Sequence, residues 1–185
     1  MIEAWSKIRS QLLGDYRIFQ LRRDTSRSPR TGKAHDFFVL DTGDWINIIP
    51  VTAQGQVVLI RQYRHGTEEV TLEIPGGMVD GSDPSPQAAA EREMLEETGY
   101  AAEEVVHLGS VTPNPAILSN RCHSFLARGA RQVAPPRPEG TEEIELELAE
   151  LEEIPGLIAA GAITHALTIA AFYFHDRYQP TAAQE

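Results

Sequence analysis

Residues 77–100 read GMVDGSDPSPQAAAEREMLEETGY, and this stretch decides how the middle of the chain folds. A loop of small and polar residues comes first. Ser85 followed by Pro86 is a typical helix start, with serine as the N-cap residue and proline in the first turn. Gly99 is a typical residue just beyond the end of a helix. The sequence therefore predicts one helix between Ser85 and Gly99.

Three glutamates share one face of this predicted helix. Glu93, Glu96 and Glu97 have the spacing i, i+3 and i+4, which places them on the same side at about 3.6 residues per turn. Like charges at this spacing repel each other, and a hard divalent cation such as Mg²⁺ would remove that cost. An acidic helix face exposed to solvent explains the same spacing, so the glutamates alone leave both interpretations open.

The residues around the helix favour the metal-binding interpretation. Gly76 and Gly77 allow the backbone to approach a ligand closely, and Arg92 stands next to Glu93, where it is available to hold a neighbouring carboxylate. The pattern resembles the Nudix box, whose second half is Arg-Glu-apolar-any-Glu-Glu-any-Gly-apolar. Residues 92–100, REMLEETGY, complete that half. On these residues the chain is identified as a member of the Nudix hydrolase superfamily.

The resemblance implies a set of metal ligands. Glu93 and Glu97 would be the main ligands, Glu96 a further or water-mediated ligand, and the carbonyl of Gly76 a backbone ligand. Mg²⁺, with Mn²⁺ as a substitute, would bridge the pyrophosphate oxygens and lower the pKa of a bound water. The family pattern has a glutamate in the loop where this chain has Asp83, followed by one extra residue. Whether Asp83 replaces that glutamate is an open question.

Two motifs before the box resemble ADP-ribose and nucleotide-sugar pyrophosphatases. They are residues 61–64, RQYR, and residues 72–77, LEIPGG. Arg61 and Arg64 are candidates for holding phosphate through charge-assisted hydrogen bonds, with ordinary surface arginines as the alternative. Glu73 is a candidate for supporting the metal or binding ribose, with an exposed strand carboxylate as the alternative.

Two loops after the box extend this resemblance. Pro115 lies where a proline is associated with ADP-ribose hydrolases, although Asn-Pro-Ala replaces the usual Ser-Pro-Gly and leaves other nucleotide sugars open. The loop 139–144 resembles the place of the glutamate that activates water. Glu142 is the first candidate for this general base and Glu143 the second, with two solvated glutamates as the alternative. Glu96 and Arg92 complete the predicted catalytic residues.

Patterning predicts an α+β fold. Helices are expected over residues 1–13, over the box and over residues 161–174. Clusters of apolar residues between turn signals predict the strands 16–23, 35–41, 45–52, 56–63, 70–74, 104–111, 121–128 and 144–150. The resemblance implies a Nudix-type α/β/α sandwich with a mixed central sheet, plus an N-terminal antiparallel sheet that packs across a homodimer. The expected domains are a β extension over 1–43, for dimerisation or substrate binding, and a catalytic domain over 44–185.

The composition of the chain indicates which classes of binding partner and which cell compartment to expect. The formal net charge of −11 argues against nucleic acid, whose binding relies on Lys and Arg. Cys122 is the only cysteine and the amino terminus lacks the order of a signal peptide, so a cytoplasmic location is expected. Residues 157–174 are apolar but short of the roughly 20 residues that a membrane span needs. Three histidines are interpreted as structural, because they lack partners at the spacing of metal ligands. They are His65, His123 and His165.

The predicted function is the Mg²⁺-dependent hydrolysis of the pyrophosphate bond of ADP-ribose or a nucleoside diphosphate sugar. The products would be a nucleoside monophosphate and a sugar phosphate. Two alternatives are a hydrolase of nucleoside triphosphates and a non-catalytic module that senses nucleotide sugars. The RQYR strand and Pro115 count against the first alternative, and the intact glutamates of the box count against the second.

Overall fold

The computed structural model describes residues 1–138 and 140–179. The chain divides into two compact units. Residues 1–44 with 112–121 form the first unit, and residues 45–111 with those from 122 onwards form the second.

The first unit is built on an antiparallel sheet, as the resemblance implies, and this sheet has three strands. Its strands, in spatial order, are β1 (Ser6–Asp15), β2 (Gln20–Arg27) and β3 (Ala34–Asp41). The segment 112–121 lies along β3, where the backbone N–H of Leu40 donates to the carbonyl of Ile117 at 2.8 Å. This segment therefore belongs to the sheet unit although it is distant in sequence.

The predicted helix over residues 1–13 is wrong, because most of that segment is strand β1. Pairing with β2 centres on the buried carboxylate of Asp24. The ammonium of Lys7 lies 2.8 Å from it, and the hydroxyl of Ser10 donates to it at 2.6 Å. Two register shifts along β1 break the two-residue alternation that identifies a strand in sequence. The strand predicted over 16–23 is displaced, since its first half forms the turn before β2.

The second unit contains a mixed eight-stranded sheet. Strand β4 runs parallel to β10, and the other pairings are antiparallel. The spatial order is β11-β5-β4-β10-β8, with β6 on β5, β7 on β4 and β9 on β10. The strands are β4 (Trp45–Thr52), β5 (Gln56–Arg64), β6 (Glu69–Glu73), β7 (Gly76–Met78), β8 (Tyr100–Ala101), β9 (Glu104–Val111), β10 (Cys122–Gln132) and β11 (Ile144–Glu150).

The predicted central helix is helix α1 (Pro86–Thr98). The hydroxyl of Ser85 accepts a hydrogen bond from the backbone N–H of Ala88 at 3.1 Å, which caps the amino terminus. At the other end Gly99 has φ 73°, and its N–H donates to the carbonyl of Leu95 at 2.8 Å. An added Cβ on Gly99 would collide with the carbonyl oxygen of Ala134, so both the conformation and the space require glycine.

The predicted carboxy-terminal helix has different bounds. A short helix α2 (Ile154–Ala159) comes first, and helix α3 (Ala166–Arg177) follows. Gly161, with φ 75°, lies in the turn between them, so it separates two helices instead of beginning one. Within the described part of the chain, no helix is both long and apolar enough to cross a bilayer.

The two faces of the mixed sheet carry separate apolar cores. Ile48 and Ile49 are consecutive in β4 and point to opposite faces, as alternating strand residues do. Ile48 shares one core with Met94 of α1, and Ile49 shares the other with Phe172 of α3. Helix α1 therefore covers one face and the terminal helices cover the other, which confirms the predicted α+β class and its sandwich architecture.

Candidate active site

Helix α1 carries its glutamates at the border of the core, not on a solvent-exposed face. Ala90 and Met94 are buried against β4, and this packing turns the carboxylates toward β7. Glu97 is only 2% exposed. The side chains of Glu93 and Glu96 are 16% and 28% exposed. The interpretation of a fully solvated acidic face is therefore wrong.

Strand β7 brings backbone directly onto these carboxylates. The N–H of Gly76 donates to Oε2 of Glu97 at 2.9 Å. A Cβ on Gly77 would collide with the carboxylate of Glu93, and a Cβ on Gly76 would lie 2.5 Å from the carbonyl oxygen of Ile46. Gly76 therefore has no room for a side chain, and a side chain at position 77 would displace the carboxylate of Glu93. The contact is made by the N–H of Gly76, and the predicted role of its carbonyl as a metal ligand stays a prediction.

The carboxylates carry charge that the protein does not fully compensate. Burial raises the pKa of Glu97 to about 8, although the Gly76 N–H and the charge of Arg64 lower it, and the negative charges of Glu93 and Glu142 raise it further. Burial also raises the pKa of Glu93, against the opposing effect of its arginine neighbour. Within the described residues no three Asp, Glu, His or Cys side chains converge as a ready metal cluster. The buried Glu97 and the partly buried Glu93, both with raised pKa values, nevertheless offer the oxygen ligands that a hard divalent cation prefers.

Arg92 ties the loop to the glutamates. It donates to Asp83 from Nε at 3.1 Å and from Nη2 at 2.9 Å. Its Nη1 lies 3.0 Å from Oε2 of Glu96 and 3.0 Å from Oε1 of Glu93. Hydrogen bonding to Asp83 is the largest of the effects that hold the pKa of Arg92 above its usual range. Asp83 therefore anchors the arginine that orients two of the predicted ligands, which gives this departure from the family pattern a structural role.

Glu73 is the centre of a second polar cluster. It is 1% exposed, so the alternative of an exposed strand carboxylate is wrong. Arg64 donates to Oε1 from Nε at 2.9 Å and to Oε2 from Nη2 at 2.8 Å. The hydroxyl of Thr71 donates to Oε1 at 2.5 Å, and Nδ1 of His165 lies 2.9 Å from Oε2. Burial alone would raise the pKa of Glu73, but these hydrogen bonds outweigh it and hold the pKa well below its usual value.

His165 therefore corrects the sequence interpretation. The sequence offers it no partner, because Glu73 belongs to a strand far away along the chain. The fold brings the residue before α3 to the end of β6. A contact of this kind leaves no local pattern, so no sequence signal identifies it without the fold.

The two predicted phosphate-binding arginines lie apart. Arg61 and Arg64 are three residues apart on β5 and therefore point to opposite faces of the strand. Arg61 donates from Nε to Glu147 on β11 at 2.6 Å. Arg64 lines a cavity, and Arg61 is not among the residues that line it. The phosphate-binding role of Arg61 stays a prediction, and Arg61 does not line the cavity that Arg64 lines.

The cavity has a volume of about 550 Å³ and lies between β4, the end of β6, β7 and the start of α3. Its walls are largely apolar, with Trp45, Met78 and Leu167 among them. Arg64 and Glu73 line it together with both glycines of β7, the same glycines that contact the carboxylates of α1. The acidic cluster, the arginine and the cavity therefore adjoin one another.

The remaining predicted residues lie in loops. Glu142 and Glu143 are exposed and precede β11. The charge of Glu142 acts on Glu93 and Glu97, which places it within the electrostatic reach of the acidic cluster. Pro115 belongs to the segment 112–121 of the first unit, and its role as a substrate contact stays a prediction.

Comparisons with known proteins agree with this geometry. Residues 43–172 match the NUDIX domain. The chain is 30% identical over 166 residues to an ADP-ribose pyrophosphatase of Mycobacterium tuberculosis, covering 88% of this chain and 79% of that protein. It is 32% identical over 140 residues to a GDP-mannose pyrophosphatase of Pectobacterium atrosepticum, covering 71% and 72%. A crystal structure of an ADP compounds hydrolase has the same fold, with a TM-score of 0.85, 19% identity and coverage of 96% and 95%.

The NUDIX match spans most of the chain and includes the glycines of β7, helix α1 and the end of β6. Hydrolases of this family generally use divalent metal ions, which the buried glutamates fit. The chain belongs to the NUDIX family, and the predicted class of Nudix hydrolase is confirmed.

Proposed function

We propose that the chain hydrolyses the pyrophosphate bond of ADP-ribose or of a nucleoside diphosphate sugar, with Mg²⁺ as the metal. The products are a nucleoside monophosphate and a sugar phosphate. The observation that carries the proposal is the buried Glu97, whose pKa is raised to about 8, beside Arg64 at the edge of the cavity. The names of the relatives, ADP-ribose and GDP-mannose pyrophosphatases, support the substrate class.

Metal binding falls to the end of α1 and to β7. Glu93 and Glu97 are the main ligands, with Glu96 and the carbonyl of Gly76 as further ligands. Bound Mg²⁺ supplies charge neutralisation for the diphosphate and a lower pKa for water, with Mn²⁺ as a substitute. Arg92 keeps Glu93 and Glu96 oriented, because it contacts both at 3.0 Å. Its role is to position ligands and limit their mutual repulsion.

Substrate binding and proton transfer fall to other residues. Arg64 holds the diphosphate by charge-assisted hydrogen bonds, with Arg61 as a second phosphate contact. Glu73 orients Arg64, and Pro115 shapes a loop that contacts the substrate. Glu142 is the general base that takes a proton from the attacking water, since its charge already acts on the acidic cluster. Glu143 is the second candidate for this role.

A panel of substrates tests the proposed function. Phosphate released after phosphatase coupling is measured with ADP-ribose, ADP-glucose, GDP-mannose, NADH and nucleoside triphosphates, with and without Mg²⁺. We expect Mg²⁺-dependent turnover of ADP-ribose or a nucleotide sugar and little of the triphosphates. Preference for triphosphates would favour the alternative hydrolase. Tight binding of one compound without turnover would favour the sensing module.

We propose that the β extension, residues 1–43, forms a homodimer interface or contacts substrate in a cytoplasmic enzyme whose catalytic domain is residues 44–185. Its sheet exposes large apolar side chains, which on a monomer mark interaction surfaces. Besides Met1 and Ile2, the exposed set on the three strands and before β1 is Trp5, Ile8, Leu12, Leu13, Phe37 and Phe38.

Replacing Phe37 and Phe38 by serine is expected to convert the dimer to a monomer, because both side chains are about half exposed. Light scattering coupled to gel filtration measures the mass. Val133→Ser, which alters an exposed apolar residue outside that sheet, is the matched control. A parent protein that is monomeric at all concentrations would contradict the dimer.

A further inference from the structure

His165 has no role in the proposed reaction, yet it holds a residue that does. We propose that His165 is a positioning residue that fixes Arg64 for the substrate diphosphate by holding the carboxylate of Glu73. The inference rests on the proposed function, because it names a residue that prepares the same substrate site. It links helix α3 to the phosphate-binding end of β5.

The hydrogen bonds of Glu73 show how the positioning works. Each carboxylate oxygen receives one bond from Arg64 and one from a second donor. The second donor is Thr71 on Oε1, at 2.5 Å, and His165 on Oε2, at 2.9 Å. The side chain of Glu73 is 2% exposed, so water does not replace a missing donor readily. His165 and Thr71 together therefore fix the plane of the carboxylate that Arg64 contacts.

The chemistry of this contact determines the state of the imidazole. The carboxylate of Glu73 accepts hydrogen bonds only, so Nδ1 of His165 carries the proton and donates. The hydroxyl oxygen of Thr168 lies 3.3 Å from the same nitrogen, so it can only share that N–H as a second, longer acceptor. The short contact to Glu73 therefore orients the ring, and the residue lines the cavity.

Arg64 is the residue that benefits from this order. Its side chain is 41% exposed, is bonded to Glu73 and lies within the electrostatic reach of Glu97 and Glu142. A free arginine side chain loses rotamer freedom when it binds phosphate, and a side chain that is already fixed loses less. Loss of His165 is expected to weaken substrate binding more than the chemical step.

The imidazole of His165 does not hold the start of helix α3. His165 is the N-cap residue of α3, but its side chain makes no capping bond to the helix backbone. Its carbonyl accepts the N–H of Ile169 at 3.1 Å, and every substituted residue retains that carbonyl. Substitution of the imidazole therefore leaves the helix start intact.

Three variants separate the nitrogens of the imidazole. In His165→Asn the amide nitrogen takes the place of Nδ1, in His165→Gln it takes the place of Nε2, and His165→Ala removes both. We expect His165→Ala to raise KM for the preferred substrate about five- to tenfold, less than the loss of a direct hydrogen bond to a charged group because the effect acts through Arg64, with kcat within about twofold. His165→Asn is expected to restore KM, and His165→Gln is not. His107→Ala, an exposed histidine on β9, is the matched control.

The outcomes are distinct. An unchanged KM in His165→Ala, an equal rise in His107→Ala, or rescue by His165→Gln instead of His165→Asn would overturn the positioning role. Thermal unfolding of each variant shows whether it is folded. Because asparagine is also a favoured N-cap residue, KM and not stability decides: a parental KM in His165→Asn beside a raised KM in folded His165→Gln supports the positioning role. Absence of turnover by the parent on every substrate would refute the proposed function itself, and parental activity with unchanged His165 variants would refute only this inference.

Discussion

Glu97→Gln is expected to lower Mg²⁺-dependent turnover at least a hundredfold while making the metal-free protein more stable at pH 8. The glutamine keeps an oxygen to accept the Gly76 N–H, which Glu97 accepts at 2.9 Å. It removes a buried negative charge that burial and the charges of Glu93 and Glu142 make unfavourable. The same charge is the donor that a divalent cation needs, so the substitution separates stability from activity.

The pH dependence of stability follows from the same group. Burial raises the pKa of Glu97 to about 8 in the folded protein, against 4.5 for a glutamate side chain in water. A group with a raised pKa contributes stability that is fully present below about pH 4.5 and is lost as the pH rises through about 8. The loss for the metal-free parent is on the order of a few kcal/mol, since each pKa unit corresponds to about 1.4 kcal/mol.

Thermal unfolding at pH 5 and pH 8.5, with and without Mg²⁺, measures this dependence. We expect the metal-free parent to lose more stability between these pH values than Glu97→Gln does, and Mg²⁺ to stabilise the parent mainly at the higher pH. Glu91→Gln is the matched control, because Glu91 is exposed on the same helix and contacts Gln87. Activity of Glu97→Gln within a few-fold of the parent would refute the metal-ligand role.

The sequence predicts those parts of the fold that depend on neighbouring residues. Helix α1 is bounded by Ser85 and Gly99 because a side-chain cap and a left-handed residue are local requirements. Several strands were predicted with correct or nearly correct bounds, since their apolar residues continue without interruption. The sequence of β1 predicts a helix, because the contacts that hold this segment as a strand come from β2. Lys7 and Ser10 meet Asp24 only after β2 has folded back.

The sequence likewise predicts those features of the candidate site that depend on neighbouring residues. The acidic face of α1 follows from helical spacing, and the glycines before it follow from their need for close approach. The cluster around Glu73 joins residues that are distant in sequence, so the inclusion of His165 was not predictable. The separation of Arg61 from Arg64 follows from the alternation of side chains along β5, because the two residues are three positions apart. The anchoring role of Asp83 depends on its hydrogen bonds with Arg92, which the sequence does not show.

Glu142→Gln is expected to lower kcat about a hundred- to a thousandfold, the contribution of a general base, without raising KM. Glu142 is exposed and acts on Glu93 and Glu97 through its charge, so its removal changes Mg²⁺ binding far less than the removal of a ligand oxygen does. A loss confined to kcat therefore separates a base from a metal ligand, whose replacement would also weaken stabilisation by Mg²⁺.

Glu143→Gln is the matched control, because Glu143 is the adjacent residue of the same loop and is equally exposed. Steady-state kinetics at saturating Mg²⁺ gives kcat and KM for both variants, and unfolding with and without Mg²⁺ gives metal binding. A large loss in Glu143→Gln with little change in Glu142→Gln would make Glu143 the base. If both variants kept the parental kcat, the proton of the attacking water would have to pass to a group outside this loop. Glu142 and Glu143 would then be solvent-exposed loop residues without a part in the reaction.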